Sequence, residues 1–162
     1  MTNWTEFAAA APHIAGVFTR RLKATGRLSL IATLRSDGFP RISPMEPIVL
    51  GDQLWLGGMA DTTKSKDLRR DPRFCLHTGT VDTKVSDGDA KLFGVATEVT
   101  DPDVRETYIT GFRAESGYDL TEVPFDLFSA DITGGSSVEV AGDRLDIHIW
   151  RPGEAERVVH KD

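Results

Sequence analysis

Cysteine is almost absent from this chain of 162 residues, with Cys75 standing alone. A single thiol cannot close an intrachain disulfide, and no cysteine-based zinc site can be built within one chain. A reducing cytoplasm is therefore the expected compartment. Positive charge is also short. Nineteen Lys and Arg stand against twenty-five Asp and Glu, a formal net charge of −6. General nucleic-acid binders show a basic face, and so do proteins that dock on anionic membranes, so neither partner is expected. Long apolar runs are missing too. The most apolar stretch, Leu28 to Leu34, contains Ser29 and Thr33 and falls far short of the roughly 20 residues of a membrane span. The first residues, Met1-Thr2-Asn3-Trp4-Thr5-Glu6, carry no basic region, and no signal peptide is expected. With no repeat, low-complexity tract or linker, one domain over residues 1–162 is expected, with N-terminal helices in residues 1–26.

The residues that are present punctuate the chain clearly. Asn3 and Glu6 have capping-box spacing, and Pro12 suits the first turn of a second helix. Ile14, Val17, Phe18 and Leu22 form one apolar stripe at helical spacing, and Gly26 is a stop signal. From Leu28 the pattern predicts short strands: Leu28–Arg35, Arg41–Val49 (interrupted by Pro44 and Pro47, hence an edge or bulged strand), Leu54–Gly58 and Arg73–Thr78. A short helix over Lys64–Arg70 is inserted among them. After a polar loop over Val81–Asp89 come a strand at Ala90–Thr100, a helix at Asp103–Ser116 closed by Gly117, and strands at Phe125–Ile132, Ser136–Val140 and Arg144–Trp150. Gly134-Gly135 and Gly142-Asp143 are expected as turns. Consecutive strands on short turns predict a mainly β, α+β chain: an antiparallel barrel with peripheral helices, not a doubly wound parallel sheet.

One segment carries chemistry. Leu54-Trp55-Leu56-Gly57-Gly58-Met59-Ala60-Asp61-Thr62-Thr63-Lys64-Ser65-Lys66 runs from a strand through two glycines into hydroxyls and lysines at a helix start. A helix N-terminus exposes unpaired N–H groups and partial positive charge, and with Thr62, Thr63, Ser65 and Lys64 this chemistry suits a phosphate. It is not a Walker A loop, because Thr63 precedes the lysine where that motif has glycine. Spacing alone leaves a second reading open, in which Thr62 or Thr63 is an N-cap and Lys64 and Lys66 are solvated.

The segments Ser29-Leu30-Ile31-Ala32-Thr33-Leu34, Asp37-Gly38-Phe39-Pro40-Arg41-Ile42-Ser43 and Thr63-Lys64-Ser65-Lys66-Asp67-Leu68-Arg69-Arg70-Asp71-Pro72-Arg73, in that order, resemble the pyridoxamine 5′-phosphate oxidase-like family. The resemblance implies an antiparallel split β-barrel of the FMN-binding type. It implies a homodimer with a flavin-type cofactor, FMN or the related deazaflavin coenzyme, between subunits. It further implies that Lys64, with Thr62 and Thr63, holds the cofactor's phosphate, with Ser65 adding a donor, and that the strand holding Ser43 and Met45 lies along the cofactor. The string Leu68 to Arg73 is most similar to the deazaflavin-using branch. The family's founding enzyme has an Arg and a Lys within the strand that here reads Arg41-Ile42-Ser43-Pro44-Met45-Glu46-Pro47, and a second basic residue where this chain has Thr63. The expectation is therefore a related oxidoreductase moving hydride to or from a small organic substrate, and not pyridoxamine phosphate oxidation itself. The alternative is non-catalytic binding, storage or sensing of flavin or haem on the same scaffold.

Other candidates weigh less. His13, His77, His148 and His160 are scattered, so no metal site is assigned and haem ranks below either flavin. Asp146 and His148 share a strand face that reads as solvated or interfacial, and Cys75 reads as a small buried residue. Glu46 reads as a rim carboxylate, and Trp55 and Trp150 as packing residues. Flavin chemistry needs no obligatory side-chain acid or base, so no catalytic residue is assigned.

Overall fold

The computed structural model describes residues 1–80 and 83–162. The first two residues of the polar loop expected at Val81–Asp89 lie outside the described residues. Two helices open the chain, α1 (Trp4–Ala10) and α2 (Pro12–Ala24), followed by strands β1 (Ser29–Leu34), β2 (Pro40–Met45), β3 (Ile48–Leu50) and β4 (Gln53–Met59). Then come α3 (Thr63–Arg70), β5 (Arg73–Thr78), β6 (Asp89–Glu98), α4 (Pro102–Ser116), β7 (Phe125–Ala141), β8 (Arg144–Trp150) and β9 (Arg157–Lys161). All pairings are antiparallel. The strand order is β2-β1-β5-β6-β7-β4-β3, with β8 on β7 and β9 on β8.

The split arises in β7. Its first part, Phe125–Ser129, pairs with β4, and its later part, Gly135–Ala141, pairs with β8, while β6 follows its other edge. The expected turn at Gly134-Gly135 is thus absent, and the two short strands predicted on either side are one long strand. Glycine in a strand marks close approach as well as turning. Here β7 is bulged opposite Phe93 and Gly94. At Gly135 an added Cβ would stand 3.2 Å from the Phe7 ring, so the N-terminal helices rest on bare backbone. The single strand expected over Arg41–Val49 is instead β2 and β3, at the two ends of the strand order. Glu46-Pro47 makes the break, and Pro44 is tolerated because β2 is an edge strand. β9 was not anticipated from sequence. It pairs with β8 only and is exposed along its length.

Several helix signals act as read. Asn3 and Glu6 form a reciprocal capping box, and Gly117 ends α4 at φ 73°, while the N-cap of α4 is Asp101, which was not read as a cap. The α2 stripe of Ile14, Val17, Phe18 and Leu22 is buried with Phe7 against Ile31, Leu54, Leu56, Leu76, Leu92, Ile132 and Trp150. Each such side chain contributes about 1.5–3 kcal/mol of transfer free energy. A second, smaller cluster lies under α4. Ile48, Tyr108 and Leu127 are its buried centre, with Trp55, Phe112 and Phe125 packed around them. Among the described residues no helix is long and apolar enough to cross a membrane.

Candidate functional site

The cavity between this second cluster and the start of α3 has a volume of about 430 Å³, within the ordinary range for small-molecule sites. Gly57 and Gly58 line it from the end of β4, and Met45 and Glu46 from the end of β2. Lys64 lines it from α3, and Tyr108, Phe112 and Phe125 from the α4 side. The glycines matter for shape. A Cβ at Gly57 would stand 2.5 Å from the Tyr108 hydroxyl, and one at Gly58 would stand 3.6 Å from Lys64 Cε. A side chain at 57 would push Tyr108 off the wall.

The turn into α3 uses Asp61 at φ 58°, and Thr62 is the N-cap, accepting from the Ser65 amide. Lys64 Nζ donates to the Pro44 carbonyl at 3.1 Å. Of the residues expected to hold a cofactor, Met45 and Lys64 stand on the cavity wall. Thr62 and Ser65 are engaged with each other, their hydroxyls 2.8 Å apart. Ser65 is buried and also bonds Asp126. Thr63 is exposed at the first residue of α3. Ser43 pairs with Ile31 inside the β1–β2 ladder, away from the wall. The aromatic wall from α4 was not read from sequence. Tyr108 and Phe112 were legible as one apolar helix side, but nothing local says which strands that side covers.

The arginines around α3 are committed elsewhere. Arg41 Nε donates to buried Asp67 at 2.7 Å, and Thr33 and Arg70 also donate to that carboxylate. Burial would raise the Asp67 pKa, but the hydrogen bonds from Arg41, Thr33 and Arg70 together hold it below the usual range. Arg69 donates to Glu98 and to Asp126, each at 2.6 Å. Asp126 is likewise held low, because Ser65, Arg69 and the Asp61 amide outweigh the cost of its burial. Lys64, by contrast, has no carboxylate partner among the described residues.

No histidine lines the cavity. His13 and His148 stack on each other with ring centroids 3.6 Å apart. Asp146 takes Arg144 and His160, and does not pair with His148. His77 bonds the Thr78 carbonyl, and Cys75 beside it on the outer sheet face is half-buried, its thiol pushed up by burial. Register joins Ile42, Ala32, Cys75 and Phe93 across that outer face, with Leu30 one row away. Ile42 is 70% exposed, Leu30 44% and Phe93 42%, so the patch is uncovered among the described residues.

The open antiparallel sheet with its peripheral helices defines a split β-barrel protein. The chain belongs to the pyridoxamine 5′-phosphate oxidase family, whose model matches residues 19–139. Solved structures share the fold at low identity. A pyridoxamine 5′-phosphate oxidase-related, FMN-binding protein from Nostoc punctiforme is 14% identical, with 93% of this chain and 95% of that one covered and a TM-score of 0.67. The haem storage protein HutZ from Vibrio cholerae is 15% identical over 78% of this chain and 92% of its own, with a TM-score of 0.61. A haem-binding protein from Mycobacterium smegmatis is 19% identical over 81% of this chain and 56% of its own, with a TM-score of 0.61. No curated protein matches the chain.

Proposed function

We propose that the chain binds FMN or the related deazaflavin in the glycine-lined cavity, between two copies of itself, and acts as an oxidoreductase on a small organic substrate. One observation carries this reading. In a region where Arg41, Arg69 and Arg70 are all neutralised, Lys64 is on the cavity wall with its charge uncompensated by any carboxylate among the described residues. The chemistry of the donor set fits the cofactor: one cation for a phosphate, set over Gly58, and an apolar and aromatic wall for a flat ring.

When bound, a flavin supplies the hydride chemistry itself. The chain's residues have the remaining tasks. Lys64 neutralises the phosphate, Met45 and Phe125 supply apolar surface that excludes water, and Gly57 and Gly58 leave room for Tyr108 and Lys64 to pack against the end of β4 and so shape the cavity. Dimerisation is supported by the uncovered apolar patch of Ile42, Leu30 and Phe93, since such patches on a sheet are ordinarily buried by a partner. The expected twofold dimer buries more than about 2,000 Å² in total, and light scattering showing a stable folded monomer at micromolar concentration would reject it. A cytoplasmic setting is proposed because a chain with one cysteine does not rely on disulfides.

The deciding experiment is a fluorescence titration with FMN and with deazaflavin, followed by reductant consumption in the presence of quinones or unsaturated ketones. Binding with turnover supports the oxidoreductase, and binding without turnover supports a carrier or sensor. Hemin is the third arm. The histidine-free cavity predicts no sharp Soret band, and a one-to-one hemin end point would replace the flavin reading.

A further inference from the structure

Two polar groups at the α4 wall have no hydrogen-bond or ion-pair partner among the described residues. Tyr108 is 4% exposed and lines the cavity, and its hydroxyl makes no hydrogen bond among the described residues. Arg27 projects from the α2–β1 turn beside the same wall. Its guanidinium carbon lies 5.8 Å from the centroid of the Phe112 ring, and its neighbour Leu28 lines the cavity. Arg27 has no carboxylate partner among the described residues, and its buried Nε is unsatisfied. An orphaned buried donor costs about 1–3 kcal/mol, so a fold retains one where something else satisfies it. The backbone adds to the cost. Arg27 sits at φ 70°, a conformation disfavoured by about 1–2 kcal/mol for a side chain with a Cβ. Burial pushes the Tyr108 phenol up to about 12, with the charge of Arg27 partly opposing that shift, so the hydroxyl keeps its proton and is a donor with no acceptor among the described residues.

Arginine offers a planar fork matched to carboxylates, and a phenol beside it adds a third donor. The cavity wall beside Tyr108 is largely apolar, formed by Phe112, Tyr118, Leu120, Val123 and Phe125, with Arg27 over the Phe112 ring at its edge. The carboxylate on the wall, Glu46, enters from the β2–β3 break, two residues from the Pro44 carbonyl to which Lys64 donates. We propose that Arg27 and Tyr108 form an anion subsite at the α4 wall, and that, beside the cofactor of the proposed function on which this inference rests, the substrate taken there is a small flat organic acid held by its carboxylate.

The test uses benzoate as probe and benzamide as its neutral isostere, by calorimetry on the full chain with and without FMN. Wild type is expected to prefer benzoate. Arg27→Ala and Arg27→Gln are expected to weaken benzoate about 10- to 150-fold, the worth of a charge-assisted bond, and to leave benzamide unchanged. Tyr108→Phe keeps the ring and removes only the hydroxyl, and a loss of about 2- to 13-fold is expected for benzoate alone. An unchanged benzoate-to-benzamide ratio in the folded variants would overturn the proposal. So would Arg27→Ala weakening FMN but not riboflavin, which would assign Arg27 to the cofactor's phosphate. An Arg27-dependent benzoate preference in a chain that binds no flavin would keep the subsite and reject the proposed function. Flavin binding with no benzoate preference would reject the subsite alone.

Discussion

At the C-terminal end of α3, Arg69 spans Glu98 and Asp126, and Arg70 joins Arg41 on the buried carboxylate of Asp67. At the N-terminal start of the same helix, Lys64 reaches only a carbonyl, that of Pro44, and faces a cavity. Both ends are basic in sequence, but their charges have different uses. The arginines are held by carboxylates that depend on them, so they tie α3 to β1, β2, β6 and β7. The lysine satisfies no anion among the described residues, and its charge is available to a ligand. The difference teaches that a basic residue is a binding candidate only once its carboxylate partners have been counted, and those partners come from strands distant in sequence.

The strongest way to break the comparison is at Asp67. Asp67→Ala leaves Arg41, Arg70 and Thr33 without their shared acceptor. It is expected to cost about 2–4 kcal/mol of stability in urea unfolding, somewhat less than a fully buried ion pair because both arginines are partly exposed. Flavin affinity per folded molecule is expected to stay the same. Lys64→Ala reverses that pattern. Its loss of a charge-assisted bond of roughly 1.5–3 kcal/mol weakens FMN about 10- to 150-fold in calorimetry. Stability changes by less than about 0.5 kcal/mol, and riboflavin binds both proteins alike. Equal losses for riboflavin and FMN would remove Lys64 from the phosphate site.

Arg69→Ala sharpens the contrast within the basic set. It uncovers Asp126 and is expected to cost about 1–2 kcal/mol of stability with FMN affinity unchanged. Acid titration reads the same end of α3 through protons. Asp67 and Asp126 are both held below their ordinary values in the folded state, so the unfolded chain binds more protons as pH falls. Their contribution is complete above the unfolded carboxylate range and is lost as pH drops from about 4 downward, with a slope of at most about 1.4 kcal/mol per pH unit for each group. Asp67→Asn is expected to flatten that acid limb in unfolding curves measured pH by pH. Lys66→Ala gives the smallest effect. Lys66 is exposed and off the cavity wall, so neither stability nor affinity is expected to move by more than about 0.5 kcal/mol.

Much of this molecule is written in short-range signals. Asn3 with Glu6, Asp101 with Gly117, and Asp71-Pro72 mark helix ends through groups a few residues apart, and alternation along β1, β4 and β5 marks the buried faces. The segment from Gly57 to Ser65 was legible as a strand entering a helix start, because glycines, hydroxyls and lysine leave a compositional trace. The strand and turn pattern also predicted an antiparallel barrel with peripheral helices, and the family resemblance implied the split. Neither could decide the pairings. Gly134-Gly135 reads as a turn until Phe7 and Ile14 are seen resting on it. Pro44 and Pro47 read as one interrupted strand until β2 and β3 part to opposite ends of the strand order. The same holds for charge and for the cavity. Only the tertiary structure assigns Asp67 to Arg41 and Asp126 to Arg69, leaves Lys64 and Arg27 without carboxylates among the described residues, and lays Tyr108 over Gly57. The physical reason is range: capping and alternation act over a few residues, whereas burial, desolvation and ion pairing depend on segments that meet only when the sheet has formed.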